Sequence, residues 1–144
     1  MEKLHLISAD TLFYQPLDHP KMLIDGILSN GLAILSGDSK IGKSWMVLWL
    51  CLKISLGEPV WGLPTAQTDV IYLALEDNDW RIQQRMQDLV DIPPDNLQFG
   101  FSCGKLGAEL EGQIKGFLED NPNTGLLFID TLQMVRDNVS SRVN

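Results

Sequence analysis

The chain has 144 residues, enough for one domain with a hydrophobic core. Its 44% hydrophobic and 21% charged residues are typical of an ordinary globular protein. Its 11 basic and 19 acidic residues give a net charge of −8, which disfavours strong nucleic-acid binding by this chain alone.

Residues 1–30 are predicted to form an N-terminal arm ahead of the main domain, residues 31–144. Within the arm, residues 4–8 are compatible with a short strand, and Ser8 or Asp10 with the cap of a brief helix. Near its end, apolar residues recur at helical spacing and predict a second short helix. These apolar residues are Leu23, Ile24, Ile27 and Leu28.

The main domain is predicted to begin with a buried strand, Gly31 to Ser36, followed by a helix from Lys43 to Ser55 that stops at Gly57. This helix is apolar nearly all round, so it is buried on several faces or meets a partner subunit. The first alternative is favoured, because such residues usually lie in the core. Residues 57–68 are predicted to be a loop or a small hairpin.

The second half of the chain alternates between strands and helices. Strands are predicted at 69–75, 97–101 and 126–130, and helices at 79–90 and 110–118. Such alternation is typical of an α/β fold with a mostly parallel sheet flanked by helices.

Residues 37–44 fit the pattern of a phosphate loop: Gly, four residues, then Gly-Lys and Ser or Thr. Its glycines allow a tight turn that brings backbone N–H groups close to phosphate. Lys43 adds a charge near the β- and γ-phosphates, and Ser44 offers a hydroxyl to Mg²⁺. The alternative is a glycine-rich turn with an incidental lysine, and Lys40 can face either phosphate or solvent. The predicted nucleotide-binding residues are Gly37, Asp38, Ser39, Lys40, Ile41, Gly42, Lys43, Ser44 and Trp45.

Two acidic residues follow predicted strands, at the edge where open parallel sheets bind ligands. Asp130 ends four apolar residues, a pattern in which the acid holds Mg²⁺ directly or through water. Glu76 can orient the water that attacks the γ-phosphate, with Asp77 as a helix cap or a support. The alternatives are that Asp130 only starts a turn and that Glu76 and Asp77 cap the next helix. Glu76 and Lys43 are the predicted catalytic residues, and Ser44 and Asp130 the predicted metal ligands.

Four further residues near these motifs leave two interpretations open. Arg81 and Arg85 lie one helical turn apart and can contact nucleotide or a neighbouring subunit, or form an ion-paired helix face. Thr131 and Gln133 follow Asp130 closely and can sense the γ-phosphate, although Thr is also an ordinary helix cap.

The sequence also bears on the compartment. The longest apolar run, Trp45 to Leu52, has eight residues, too few to span a membrane, and the N-terminus lacks the plan of a signal peptide. Cys51 and Cys103 have no CxxC partner, so neither a disulfide framework nor a cysteine metal site is indicated. We therefore expect a cytoplasmic protein without membrane contact.

Three strings in the chain, together with the phosphate loop, resemble the RecA-like ATPases of the RepA type, which include plasmid and phage hexameric helicases and many bacterial AAA family ATPases. The strings are LIDG at 23–26, IYLALEDN at 71–78 and LFIDTLQ at 127–133. The resemblance implies a RecA-like core, ATP with Mg²⁺, Glu76 as the catalytic carboxylate and assembly into rings. It also implies a setting in DNA replication or recombination.

Members of that family continue, after the strand that corresponds to 126–130, with further strands, a sensor motif, DNA-contacting loops and an arginine that reaches the next subunit. Only 14 residues follow Asp130 here. We therefore expect an N-terminal fragment or a naturally shortened form, incomplete at the C-terminal side of the sheet. Nucleic-acid contact is then expected only through missing regions or through the assembly.

These observations lead to one main hypothesis and two alternatives. The main hypothesis is an ATP-binding and ATP-hydrolysing module of a RecA-like motor, which assembles with copies of itself. The first alternative is a non-catalytic nucleotide-binding or oligomerisation module, because a missing trans-acting arginine lowers turnover about 10³–10⁵-fold. The second is a small-molecule kinase, but the sequence offers neither an acceptor pocket nor an arginine-bearing lid.

Overall fold

Five helices and five strands make up the part of the computed structural model that is described, residues 3–38 and 40–136. From residue 69 onward, strands and helices alternate along the chain, as expected of an α/β fold. The helices are α1 (Ala9–Tyr14), α2 (Lys43–Leu56), α3 (Asp79–Leu89), α4 (Leu110–Asp120) and α5 (Leu132–Val135). The strands are β1 (Met22–Ile24), β2 (Leu28–Ser29), β3 (Asp69–Ala74), β4 (Leu97–Gly100) and β5 (Thr124–Asp130).

The main sheet is parallel, with the strand order β4-β3-β5. The central strand β3 pairs Ile71 with Gln98 of β4 and with Leu127 of β5. Because both neighbours are parallel to it, the carboxyl ends of all three strands meet at one edge. The predicted α/β class and the parallel sheet flanked by helices are confirmed.

Helix α2 packs against this sheet and supplies more buried core residues than any other single element of the described residues. Seven of its 14 residues are buried, in agreement with the interpretation of this helix as a core element. Cys51 is fully buried among them, and burial raises the pKa of its thiol well above the ordinary value. The helix ends where predicted, at Gly57, whose φ of 70° only glycine adopts without strain. In the described residues no helix is both long and apolar enough to cross a membrane.

The end of the N-terminal arm differs from the prediction. Where helical spacing predicted a helix, residues 22–29 form an antiparallel hairpin of β1 and β2, with Gly26 in its turn at a φ of 72°. Ile24 is 1% exposed and also bridges to Thr65. Pairing with this distant loop overrides a local pattern that two turns of helix only weakly specify. The brief helix predicted after Ser8 forms as α1, but residues 4–8 are not a strand.

The predicted buried strand from Gly31 to Ser36 is wrong. Residues 32–38 have no assigned strand, and Leu32 and Ile34 are 94% and 76% exposed. A strand is stabilised only by a ladder partner, and among the described residues this segment has none, while β5 stays at the sheet edge. The phosphate loop is therefore positioned by the helix that follows it and not by a strand before it.

Candidate functional site

The phosphate loop leads directly into the first turn of α2. Gly42 stands at the N-cap position with a φ of 92°, a conformation that requires glycine, and Lys40 also has a positive φ of 64°. No side chain of the described residues caps α2, and its first turn carries no acidic residue. The first N–H groups of a helix lack partners within the helix, so this end is suited to an anion.

Lys43, the first residue of α2, folds back over the loop. Its Nζ donates hydrogen bonds to the carbonyl oxygens of Gly37 and Asp38, the second at 3.1 Å. Ile41 is 64% exposed and its side chain lies against Gly37, at the place where a Cβ on Gly37 would clash. Because of its two hydrogen bonds, the ammonium group of Lys43 lies beside the loop backbone that would face phosphate. Asp38 and Lys40 are exposed there, and Ser39 lies outside the described residues.

Ser44 and Asp130, the two predicted metal ligands, lie together although 86 positions separate them. Ser44 Oγ donates to Asp130 Oδ2 at 2.7 Å, which links the first turn of α2 to the end of β5. No group of three or more His, Cys, Asp or Glu in the described residues could hold a metal. Mg²⁺ commonly binds through one or two carboxylates plus substrate phosphates and waters. The hydroxyl and carboxylate therefore fit Mg²⁺ that is shared with a nucleotide.

Glu76 follows β3 at the same edge of the sheet. Leu75 N–H donates to the carbonyl oxygen of Asp130 at 2.9 Å, so the turn that carries Glu76 is bonded to the end of β5. The Glu76 side chain is exposed, and no hydrogen bond to it occurs in the part of the chain that the structure describes. The topology thus brings Glu76 and Asp130 to one edge of the sheet, beside Ser44.

Asp77 has a different environment from its neighbour Glu76. Its side chain is 7% exposed and pairs with Arg81 Nη1 at 3.0 Å and Arg85 Nη1 at 2.6 Å. The N-cap of α3 is Asn78, whose Oδ1 accepts from the Arg81 N–H at 2.9 Å. The suggestion that Asp77 caps this helix is therefore wrong, because the ion pairs occupy its carboxylate. Of the two interpretations of the arginines, the structure shows the ion-paired one.

Arg85 also connects this ion-pair cluster to the phosphate loop. Its guanidinium carbon lies 5.3 Å from the centroid of the Trp45 ring, a cation–π distance. Trp45 follows Ser44 in the first turn of α2 and is 41% exposed. Helix α3 is thus tied to α2 next to the residues predicted to bind nucleotide.

Tyr72 is a residue of the site that the sequence prediction missed. Its ring is fully buried in β3, with Phe99 and Phe128 beside it at centroid distances of 5.9 and 6.4 Å. Its hydroxyl donates to Asp130 Oδ2 at 2.8 Å. Burial, and then the Asp130 carboxylate, raise the pKa of Tyr72 well above its ordinary value, so it stays a donor. The sequence signal that could have identified Tyr72 is a tyrosine between apolar residues of a predicted buried strand. A buried tyrosine hydroxyl usually has a hydrogen-bond partner, so a polar residue was to be expected nearby.

The two residues predicted to sense phosphate lie in unlike surroundings. Thr131 Oγ1 is buried and has no hydrogen-bond partner in the described part of the chain, and its side chain does not cap α5. Gln133 is exposed on α5. A buried hydroxyl without a partner is unusual, and the structure does not bring either residue into contact with the phosphate loop through a hydrogen bond of the described residues.

Comparison with known proteins matches residues 2–142 to the family model of the AAA domain. Neither the curated proteins nor the solved structures contain a significant match. The matched range includes the phosphate loop, Glu76 and Asp130, the positions that the structure brings to one edge of the sheet. The chain therefore belongs to the AAA domain family and is a nucleotide-binding module of the P-loop ATPase type.

Proposed function

We propose that the chain binds ATP with Mg²⁺ and hydrolyses it, as the ATPase module of a RecA-like motor of the RepA type. The observation that carries this proposal is the hydrogen bond between Ser44 and Asp130. It joins the hydroxyl that ends the phosphate loop to the carboxylate that ends the edge strand β5, and phosphate-loop enzymes hold Mg²⁺ and nucleotide through such a pair.

Phosphate binding follows from the loop and the first turn of α2. Backbone N–H groups of residues 37–44 and the uncapped helix end offer donors to the phosphate oxygens. Lys43 adds a charge that it can move from the carbonyl oxygens of Gly37 and Asp38 to a phosphate. The exchange favours phosphate, because the ammonium group of Lys43 then meets an anion instead of a neutral carbonyl oxygen.

Ser44 and Asp130 are the residues that would hold Mg²⁺, which when bound supplies positive charge to the phosphate oxygens. Glu76 is proposed as the catalytic base. Its exposed carboxylate can accept the proton of a water molecule in line with the γ-phosphate while that water attacks. The bond between the γ-phosphorus and the oxygen that it shares with the β-phosphate then breaks, which leaves ADP and inorganic phosphate.

Replacement of Lys43 by alanine tests the binding site. We expect Lys43→Ala to weaken Mg-ATP binding about thirtyfold, from the loss of about 2 kcal/mol in charge-assisted hydrogen bonding. Isothermal titration calorimetry with the non-hydrolysed analogue AMP-PNP measures this effect. Lys115→Ala is the matched control, because Lys115 is exposed on α4. Equal affinity in the wild type and both variants, or no binding by any of them, would exclude the site.

We further propose that the chain assembles with copies of itself. Residues 4–17 of the arm carry large apolar side chains that are mostly exposed, such as Leu6, Phe13 and Tyr14 at 87%, 80% and 81%. Surface of this kind is typical of a contact between subunits. A DNA substrate in replication would then be contacted through local basic surface that the assembly presents, because each copy carries a net charge of −8, which disfavours contact through overall charge.

Substitutions in the arm test the assembly and leave the predicted nucleotide-binding residues unchanged. We expect the double variant Leu6→Glu and Phe13→Glu to lower the mass of the assembly toward that of one chain, because burial of two carboxylates opposes association. Light scattering coupled to size-exclusion chromatography gives that mass. Ile92→Glu serves as control, since Ile92 is also exposed, at 81%, but lies outside the arm. A wild type that is monomeric at high concentration would contradict the proposal.

A further inference from the structure

A chain of hydrogen bonds links the centre of the sheet to the first turn of α2. The Tyr72 hydroxyl donates to Asp130 Oδ2 at 2.8 Å, and Ser44 Oγ donates to the same oxygen at 2.7 Å. The three residues come from β3, β5 and α2. Because both donors reach one oxygen from different elements, they fix the orientation of the Asp130 carboxylate.

The two donors differ in rigidity. Ser44 is partly exposed at the end of the phosphate loop, where its hydroxyl is proposed to face the metal. Tyr72 is 0% exposed, and its ring is packed beside Phe99 and Phe128 in the neighbouring strands. The phenol therefore has little freedom to leave Asp130, whereas the serine hydroxyl can rotate.

We propose that Tyr72 is a positioning residue, whose buried hydroxyl holds the Asp130 carboxylate in the orientation from which Mg²⁺ is bound together with ATP. The inference rests on the proposed nucleotide site and adds a residue to it. Partners that orient a ligating carboxylate typically contribute about tenfold to a hundredfold in metal affinity. If Tyr72 acted only through packing, phenylalanine would serve equally well at this position.

The variant Tyr72→Phe removes the hydroxyl and keeps the ring. MgCl₂ should raise the ATP affinity of both proteins. We expect the variant to need about ten times as much MgCl₂ as the wild type to reach half of that gain. Affinity for ATP in EDTA should stay within about twofold of wild type, because the loop and Lys43 are untouched. Calorimetric titration with ATP at a series of MgCl₂ concentrations gives both values.

Tyr14→Phe is the matched control, because Tyr14 is 81% exposed and the chain has two tyrosines. It should change neither value. An unchanged MgCl₂ dependence in a folded Tyr72→Phe variant would overturn the inference and leave the nucleotide site standing. A wild-type chain that binds no Mg-ATP would overturn both.

A spectroscopic measurement covers the case in which Tyr72→Phe fails to fold. In the Tyr14→Phe background, Tyr72 is the only tyrosine, so incorporated 3-fluorotyrosine gives a single ¹⁹F signal. We expect this signal to shift when MgCl₂ is added to the ATP-bound chain and to stay in place when NaCl of equal ionic strength is added. A signal that does not respond to MgCl₂ would contradict the inference.

Discussion

Replacing Glu76 by glutamine is expected to lower the rate of ATP hydrolysis about 10²–10⁴-fold while Mg-ATP affinity stays near that of the wild type. The range is the usual contribution of a positioned general base. Glutamine keeps the size of the side chain but cannot accept the proton of the attacking water. Glu76 is exposed and has no hydrogen bond among the described residues, so the fold should not be disturbed. Single-turnover assays with radiolabelled ATP measure rates that steady-state assays would miss.

Glu119→Gln is the control for this comparison, because Glu119 is exposed on α4. It should hydrolyse ATP at the wild-type rate. Two results would count against Glu76 as the base. Hydrolysis at the wild-type rate by the Glu76→Gln variant would exclude that role. Tight Mg-ATP binding without turnover by any form would instead support a non-catalytic nucleotide-binding module.

Loss of the Asp77 carboxylate is expected to have the largest effect on stability. Asp77→Ala should lower the free energy of unfolding by about 3 kcal/mol, because it leaves the largely buried Arg85 without a carboxylate partner. The Asp77 and Arg85 side chains are 7% and 16% exposed, so water replaces the lost contacts poorly. Urea denaturation followed by circular dichroism measures this change as a lower midpoint at an unchanged slope.

Two variants on α3 serve as comparisons for Asp77→Ala. Asp88→Ala removes an exposed carboxylate and should change the free energy of unfolding by less than about 0.5 kcal/mol. Arg81→Ala removes the more exposed partner of Asp77, 51% exposed, and should cost less than about 1 kcal/mol. If Asp77→Ala lowered the free energy of unfolding as little as Asp88→Ala, the ion pairs of Asp77 would contribute no more to stability than exposed surface ion pairs do.

Elements that local sequence determines were predicted well. Helix α2 and strands β3 and β5 combine long apolar runs with clear stop signals, and their observed bounds lie within two residues of the predicted ones. The hairpin at 22–29 and the unpaired segment at 32–36 were not predicted, because both depend on distant partners. Ile24 forms a β-bridge to Thr65, about 40 residues away, through hydrogen bonds of the residues on either side of it, and residues 32–36 would need a neighbouring strand.

The residues of the candidate site also fall into two groups, those that local sequence identifies and those that depend on contacts between distant parts of the chain. The phosphate loop, Glu76 and Asp130 are visible in the sequence because their chemistry requires fixed residue types at the ends of elements. Their proximity follows from the parallel sheet. The contact of Tyr72 with Asp130 is tertiary, since it depends on how the neighbouring strands β3 and β5 face one another. A single sequence carries no spacing rule for such contacts.

The turn after β3 has a consequence for how Glu76 can act. On one side of it, Leu75 N–H is bonded to the end of β5, and on the other, Asp77 is held by two arginines. The backbone of Glu76 is anchored at both neighbours while its own carboxylate is exposed. If Glu76 is the base that we propose, its backbone is therefore ordered before the nucleotide binds, and only its side chain remains to be ordered. We expect little loss of backbone entropy to oppose catalysis at this position.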